Sequence, residues 1–350
     1  MAQIFSSKKQ EGRLNLRSFV KYLLRRFILY IITLWAGLTI CFFLPRFTPI
    51  DPITVLLARI TATGAFMDPE TYESMRKTLL QLFGLEGSLQ EQYFNFLSKA
   101  IVGDFGISIA VYPSKVNDLI IRALPWTVSL LATATLISWI FGNIIGLFAG
   151  YYKHKRITKV LQLFAISVYP IPYYILALLF VFIFCYLFRI FPLLGSKGIG
   201  FKVSFSFEFI SSLIFHSFLP ALTLFIINLG WWILSMRALT VNLSEEDFVK
   251  FAEIKGIEKR IILSKYIFRN ALLPQITQLT MALSTIFSGA VLTEFIFSYP
   301  GLGQLLWMAV SSSDIYLLMG ITSLSIIAVS TSALIIDLIY PLFDPRIRYE

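Results

Sequence analysis

The chain has 350 residues, 57% of them apolar and 14% charged, with a mean hydropathy of +0.76. A soluble domain carries about 25% charged residues to wet its surface, so a water-soluble fold is excluded, and 33 Phe with 16 Tyr exclude disorder. The formal charge of +10 reads as a membrane-topology signal rather than a nucleic-acid footprint, because the basic residues sort by side.

A bilayer crossing requires roughly 20 mainly apolar residues in a helix. Residues 1–26 read as a basic amphipathic segment on the inner surface. The first charge-free run, Phe27–Leu44, makes residues 27–45 the first transmembrane helix. No small-residue cleavage site follows it, so it is expected to be retained as an anchor. Residues 46–122 form an extracytoplasmic insert. Within it, Asp68-Pro69 opens a helix that buries Tyr72, Met75, Leu79, Leu80 and Phe83 and stops at Gly84. A second insert helix is expected over Leu89–Ile101. The core, residues 123–340, holds five more runs: Ala123–Tyr152, Val160–Phe188, Phe209–Met236, Asn270–Thr293 and Ile315–Ile336. Two prolines in Tyr169-Pro170-Ile171-Pro172-Tyr173 predict a kink in the third crossing. Turn formers in Ser298–Gly303 make Phe295–Ser313 a loop plus a short surface helix, not a crossing. Residues 341–350 form a tail.

Six crossings with the N-terminus inside put 20 of the 30 basic residues on inner segments and 10 on outer ones. The positive-inside rule therefore predicts that both termini are cytoplasmic.

The inner loop 241–270 carries the most informative pattern. Ser244 and Asp247 fit a capping box, with Glu245, Glu246 and Asp247 in the first turn of a short helix. Phe248, Phe251 and Ala252 are expected on one face, and Gly256 ends the helix. A second helix over Ile257–Asn270 leads to Pro274. Two exposed Phe would either pack beneath the protein's own helices or enter a groove on a partner.

The string Ala252-x-x-x-Gly256, then Arg269-Asn270-Ala271-Leu272-Leu273-Pro274, resembles the EAA loop of binding-protein-dependent ABC transporter permeases. Gly103-Asp104-Phe105-Gly106 and Leu124-Pro125-Trp126-Thr127 are similar to marks of the oligopeptide/dipeptide permease B branch. So are Glu294 with Phe297–Gly303, and the tail Asp344-Pro345-Arg346-Ile347-Arg348. The chain departs from the pattern at Lys250, where the general loop has Glu, and at Thr48-Pro49-Ile50-Asp51-Pro52, where the family has Pro-Gly-Asp-Pro. The stretch Ala58–Met67 also looks longer than in typical dipeptide permeases.

The resemblance implies a six-helix ABC importer (MetI-like) permease fold in a prokaryotic inner membrane. It implies partners: a second homologous permease, two cytosolic ATP-binding subunits and an extracytoplasmic solute-binding protein, besides membrane lipid. Nucleic acid is not an expected partner. Phe248, Phe251, Ala252, Lys255, Gly256, Arg269, Asn270 and Pro274 would couple to the ATPases. No Gly-Lys pair occurs, so no P-loop is expected to hold ATP here, and no enzymatic activity, cofactor or metal site is assigned. The substrate stays open between di/oligopeptides and oligosaccharides.

A pathway for polar oligomers requires polar or aromatic lining. The candidates are Tyr169, Tyr173, Asn228, Trp231, Gln278 and Ser288, with Asn143, Gln162, Tyr174, Trp232 and Gln275 behind them. Such residues also serve as interface anchors or as glue between helices. Glu294 and Asp337 lie near crossing ends and read as caps or ion pairs. His154, His216, Cys41 and Cys185 show no metal or pairing pattern. The competing reading is an ion-gradient-driven transporter or channel, but no internal repeat or buried carboxylate relay accompanies it.

Overall fold

In the computed structural model the described residues are 16–47, 51–62, 67–198, 200, 203–204 and 206–343. The readings placed on 1–15, on Thr48-Pro49-Ile50, on the long stretch at 63–66 and on the tail motif at 344–348 lie outside them. Long apolar runs with no water to bond their backbones close every bond within a helix, and the described residues are overwhelmingly helical. Helix α1 (Leu16–Phe43) ends in a tight turn, Leu44–Phe47. It is already helical at Leu16, so residue 26 marks no break.

The insert contributes α2 (Pro52–Ala62), α3 (Pro69–Leu82) and α4 (Leu89–Ile101). Helix α3 starts where Asp68 accepts the Thr71 N–H. Helix α4 starts with a full capping box between Ser88 and Glu91. Ile53, Leu56, Leu57, Leu79 and Phe83 share a core with Ile109. This core rests on Ile315 and Tyr316 of the last helix, and the Tyr316 hydroxyl bonds the Phe83 carbonyl. Asp314, 1% exposed, ties the junction. It accepts the Ser108 hydroxyl at 2.6 Å, the Ala110 N–H at 2.8 Å and the Leu317 N–H at 3.0 Å. Burial pushes the Asp51 carboxyl up, but the Thr54 hydroxyl, the Ile53 N–H and Arg76 outweigh it and hold it below its usual range.

Helices α5 (Val116–Tyr151) and α8 (Phe207–Ser244) form the centre. Their partners advance together along both chains: Gly142 meets Trp232, Gly146 meets Ile233 and Met236, and Gly150 meets Thr240. The two helices are therefore parallel. A Cβ at Gly146 would lie 2.7 Å from the Ile233 carbonyl oxygen, and one at Gly150 2.6 Å from the Thr240 Cβ. Only glycine allows this approach, which is how apolar helices associate where water gives no hydrophobic drive.

Parallel neighbours require a return between them. It is made by α6 (Arg156–Val168) and α7 (Tyr173–Phe180), the latter continuing as a wide turn Val181–Leu187. The two halves meet at 99°. The proline pair thus does more than kink the expected crossing: Pro172 ends the free backbone between two separate helices.

Helix α8 runs eight residues past the predicted end at Met236. The Ser244 hydroxyl donates to the Thr240 carbonyl at 2.7 Å, so Ser244 closes α8 rather than capping the next helix. That helix, α9 (Asp247–Ile254), has Glu246 at its N-cap with no side-chain cap bond. The expected capping box is absent because its serine is already inside α8. The chain then continues through α10 (Lys259–Ile261), a wide helical turn Ile262–Phe268 and α11 (Arg269–Ser284). The expected crossing Asn270–Thr293 is not one helix. A tight turn Thr285–Ser288 follows α11, Gly289 takes φ +71°, and α12 (Val291–Ile296) starts a new direction.

Helices α13 (Leu302–Ser311) and α14 (Ile315–Phe343) complete the chain. Helix α14 runs antiparallel to α1: Cys41 lies against Thr322, Tyr30 against Thr331, and Tyr22 bonds the Asp337 carbonyl. Among the described residues four helices are long and apolar enough to cross a membrane: Val20–Phe47, Val116–Tyr151, Phe207–Ser244 and Ile315–Leu338. The bent pair makes a fifth if it is one crossing.

Candidate functional site

The fold brings the predicted residues into two places. The first is α9. Val249, fully buried, and Ala252, 3% exposed, sit in a core with Leu147, Met236, Ile262, Leu263, Ile267 and Ala271. Phe248 and Phe251, by contrast, are 40% and 64% exposed, and Ile254 is exposed beyond them. Ala252 is a neighbour of Phe248 at i+4 but lies at the buried edge of that face, with Phe251 at its exposed edge. One residue on from Phe251, it has turned by about 100° onto the buried stripe that starts at Val249.

Gly256 ends α9 as expected. It takes φ +72°, its N–H bonds the Glu253 carbonyl at 2.9 Å, and the next N–H, Ile257, bonds the Ala252 carbonyl at 3.1 Å. This paired closure requires a left-handed residue. Lys255, just before it, is exposed. Arg269 and Asn270 are exposed on the ascending rod, where Asn270 Nδ2 donates to the Tyr266 carbonyl at 2.5 Å. Pro274 lies inside α11 rather than at its start, and having no N–H it leaves the Asn270 carbonyl without its helical partner.

The second place is a cleft of about 760 Å³ between α5, α7, α8, α11 and α12. Tyr173, Asn228, Trp231, Gln278 and Ser288 all line it, as do Tyr174 and Trp232. The Tyr173 hydroxyl donates to Asn228 Oδ1 at 3.1 Å. Tyr169 does not line the cleft; it stacks on Trp231 from behind, ring centres 5.3 Å apart. No charged side chain is among the lining residues. The cleft can therefore hold a molecule by ring faces and amide hydrogen bonds, without ion pairing.

Sequence reasoning missed one wall, Gly289–Thr293, together with Leu131, Thr135 and Met281. Gly289-Ala290 inside an apolar run was the only signal of that break.

Of the remaining polar candidates, Gln275 joins helices, whereas Asn143 bonds within α5. Gln275 Nε2 donates to Ser235 Oγ at 2.8 Å, and that hydroxyl donates to Gln278 Oε1 at 3.1 Å. Trp139 Nε1 donates to the Gln275 carbonyl at 3.2 Å, and Asn143 Nδ2 donates to the Trp139 carbonyl at 2.7 Å. Gln162 lies outside the cleft.

Glu294 is fully buried and clamps the end of the cleft. It accepts the Thr127 hydroxyl at 2.8 Å, the Gly303 N–H at 2.7 Å and the Gln304 N–H at 3.3 Å. Two of these donors are free N–H groups at the start of α13, where a carboxylate is favoured. Asp337 pairs with Arg26 at 2.9 Å. Both acids thus take structural roles. Among the described residues no group of three His, Cys, Asp or Glu could hold a metal.

Residues 142–349 match the family described as binding-protein-dependent transport system inner membrane component. The chain is similar to the oligopeptide transport system permease protein AppB of Bacillus subtilis (strain 168), 26% identical over 94% of this chain and 99% of that one. It is also similar to the glutathione transport system permease protein GsiC of Escherichia coli (strain K12), 26% identical over 95% and 100%. A putative peptide permease of Brucella suis biovar 1 is 28% identical over 94% and 99%. The match covers α9 and all of the cleft lining except Leu131 and Thr135, and the chain belongs to the family of inner membrane components of binding-protein-dependent transport systems.

Proposed function

We propose that the chain is one of two permease subunits of an ABC importer for short peptides. Two cytosolic ATP-binding subunits would drive it, and an extracytoplasmic solute-binding protein would deliver the substrate. The observation that carries the reading is α9, a short helix nailed down on one face and presenting Phe248 and Phe251 on the other. Such a helix fits a groove on a partner, and α9 lies in the loop that resembles the EAA motif.

In this reading the chain crosses the membrane six times, with α6–α7 as one bent crossing and α11 with its Gly289 break as another. Both termini and α9 face the cytoplasm, in keeping with the positive-inside count. The uncharged aromatic and amide lining suits a peptide backbone, and relatives are named for oligopeptide and glutathione transport. Oligosaccharides, which also stack on rings, are the second substrate class.

The test is uptake into vesicles holding the reconstituted complex. Peptide uptake should require internal ATP, the ATP-binding subunits and the external binding protein together. Uptake by this chain alone, driven by a proton or sodium gradient, would overturn the proposal.

A further inference from the structure

The insert helix α4 is amphipathic in an uneven way. Glu91, Asn95, Ser98 and Lys99 are exposed along its polar side. Its apolar side is only partly covered by the protein. One stripe, Tyr93, Phe96 and Ala100, is turned toward the protein. Tyr93 stacks on Phe43 with ring centres 5.6 Å apart, and both Tyr93 and Phe96 pack on Phe42 of α1 at 5.3 and 5.5 Å. The neighbouring stripe, Phe94, Leu97 and Ile101, follows at i, i+3 and i+7. Phe94 is 67% exposed, Ile101 84% and the adjoining Val102 77%.

The depth of this helix follows from α1. The charge-free run Phe27–Leu44, between Arg26 and Arg46, has 18 residues, about 27 Å at 1.5 Å per residue, close to the hydrocarbon core of a bilayer. Thr39 lies five residues before its end, about 7.5 Å along the axis. The Tyr93 hydroxyl bonds Thr39 Oγ1 at 2.7 Å. The Tyr93 hydroxyl therefore reaches into the outer part of the hydrocarbon layer. From that level outward α1 itself presents Ile40, Leu44 and Phe47, each more than 60% exposed. The bare stripe of α4 thus continues the lipid-facing surface of α1.

We propose that α4 is an interfacial membrane helix, with Phe94, Leu97 and Ile101 immersed in the lipid leaflet beside α1 and its polar side in water. The insert is then not a purely aqueous domain but one floored by lipid. The proposal requires only that α1 spans a bilayer and is independent of what is transported.

The test uses the assembled transporter in vesicles of phosphatidylethanolamine and phosphatidylglycerol. Single cysteines F94C, I101C and N95C are introduced in a C41A/C185A background and labelled with an environment-sensitive fluorophore. Labels at 94 and 101 should be quenched by spin-labelled lipid at least roughly twofold more than the label at 95, which iodide should quench instead. Iodide quenching at all three positions would overturn the proposal. So would shielding of 94 and 101 from both quenchers, with or without the binding protein, because the stripe would then be covered by protein.

Discussion

The Glu294 carboxylate and the Thr127 hydroxyl meet at 2.8 Å across 167 residues of sequence. Thr127 Oγ1 in turn accepts the Leu302 N–H at 2.7 Å. One hydroxyl therefore bridges α5 to both sides of the turn that carries Phe297–Gly303. Gly301 packs against both side chains so closely that any Cβ would collide with them. Thr127→Val keeps the shape but strands a buried carboxylate oxygen and a buried N–H, each costing about 1–3 kcal/mol. The thermal unfolding midpoint of the purified complex should fall, and Glu294→Leu should lower it too, since it leaves the Thr127 hydroxyl, the buried Gly303 N–H and the Gln304 N–H without an acceptor. An unchanged midpoint in both variants would refute the clamp.

The glycine stripe of α5 makes a sharper stability prediction. Gly146→Leu places a branched side chain where even a Cβ would be 2.7 Å from the Ile233 carbonyl oxygen. The parallel pair α5–α8 must separate, and since close packing is what holds such helices together, the protein should aggregate on extraction. Size-exclusion chromatography of detergent extracts reads this directly. A monodisperse Gly146→Leu peak would show that the approach is not needed.

On α9, two neighbouring substitutions should behave oppositely. Val249→Asp buries an unpaired charge in the core around Met236 and Ile267 and should abolish folding, a penalty of several kcal/mol. Phe251→Asp alters a ring already 64% exposed and should leave insertion and thermal stability unchanged. Its effect should be on transport, with uptake falling more than about tenfold as a coupling contact of roughly 1.5–3 kcal/mol is lost. Wild-type uptake by Phe251→Asp would remove the docking role.

In the cleft, Trp231→Ala removes both a wall and the stacking partner of Tyr169. Tyr173→Phe removes only the hydroxyl donated to Asn228. The first should weaken uptake strongly. The second should shift the apparent KM by a few-fold, in line with about 0.5–1.5 kcal/mol for one hydrogen bond. Concentration-dependent uptake separates the two, and equal behaviour of both variants would argue that the cleft is not the pathway.

Local rules read well where a helix must start or stop in water. Asp68, Pro69 and Gly84 bounded α3, and Leu89–Ile101 was recovered in full, because caps and left-handed glycines act within a few residues. The apolar runs were less legible. Uniform hydrophobicity says that a segment is in lipid, but not whether it is straight, so the 99° break at Pro170–Pro172 and the turn at Gly289 were underestimated or unseen. Ser244 misled because the same side chain caps a helix start or bonds back to a carbonyl four residues earlier, and only the extent of α8 decides between them. Helix α2 and the Asp314 anchor went unrecognised. Their meaning lies in contacts with Phe83, Ser108 and Tyr316, all distant in sequence. For the cleft, residue chemistry found the aromatic and amide members, while the backbone of Gly289–Thr293 carries no side-chain signature.

The unexpected length of α8 has a mechanical meaning. Because the helix runs unbroken to Ser244, only Glu245 and Glu246 separate it from α9. Trp231 and Asn228 lie 13 and 16 residues up the same helix, about 20 and 24 Å at 1.5 Å per residue. No slack loop stands between the exposed Phe251 ring and the cleft wall. In the proposed coupling role, a tilt of α9 would be delivered to Trp231 as displacement along a stiff lever, its size set by the lever's length rather than by any signal passed from residue to residue.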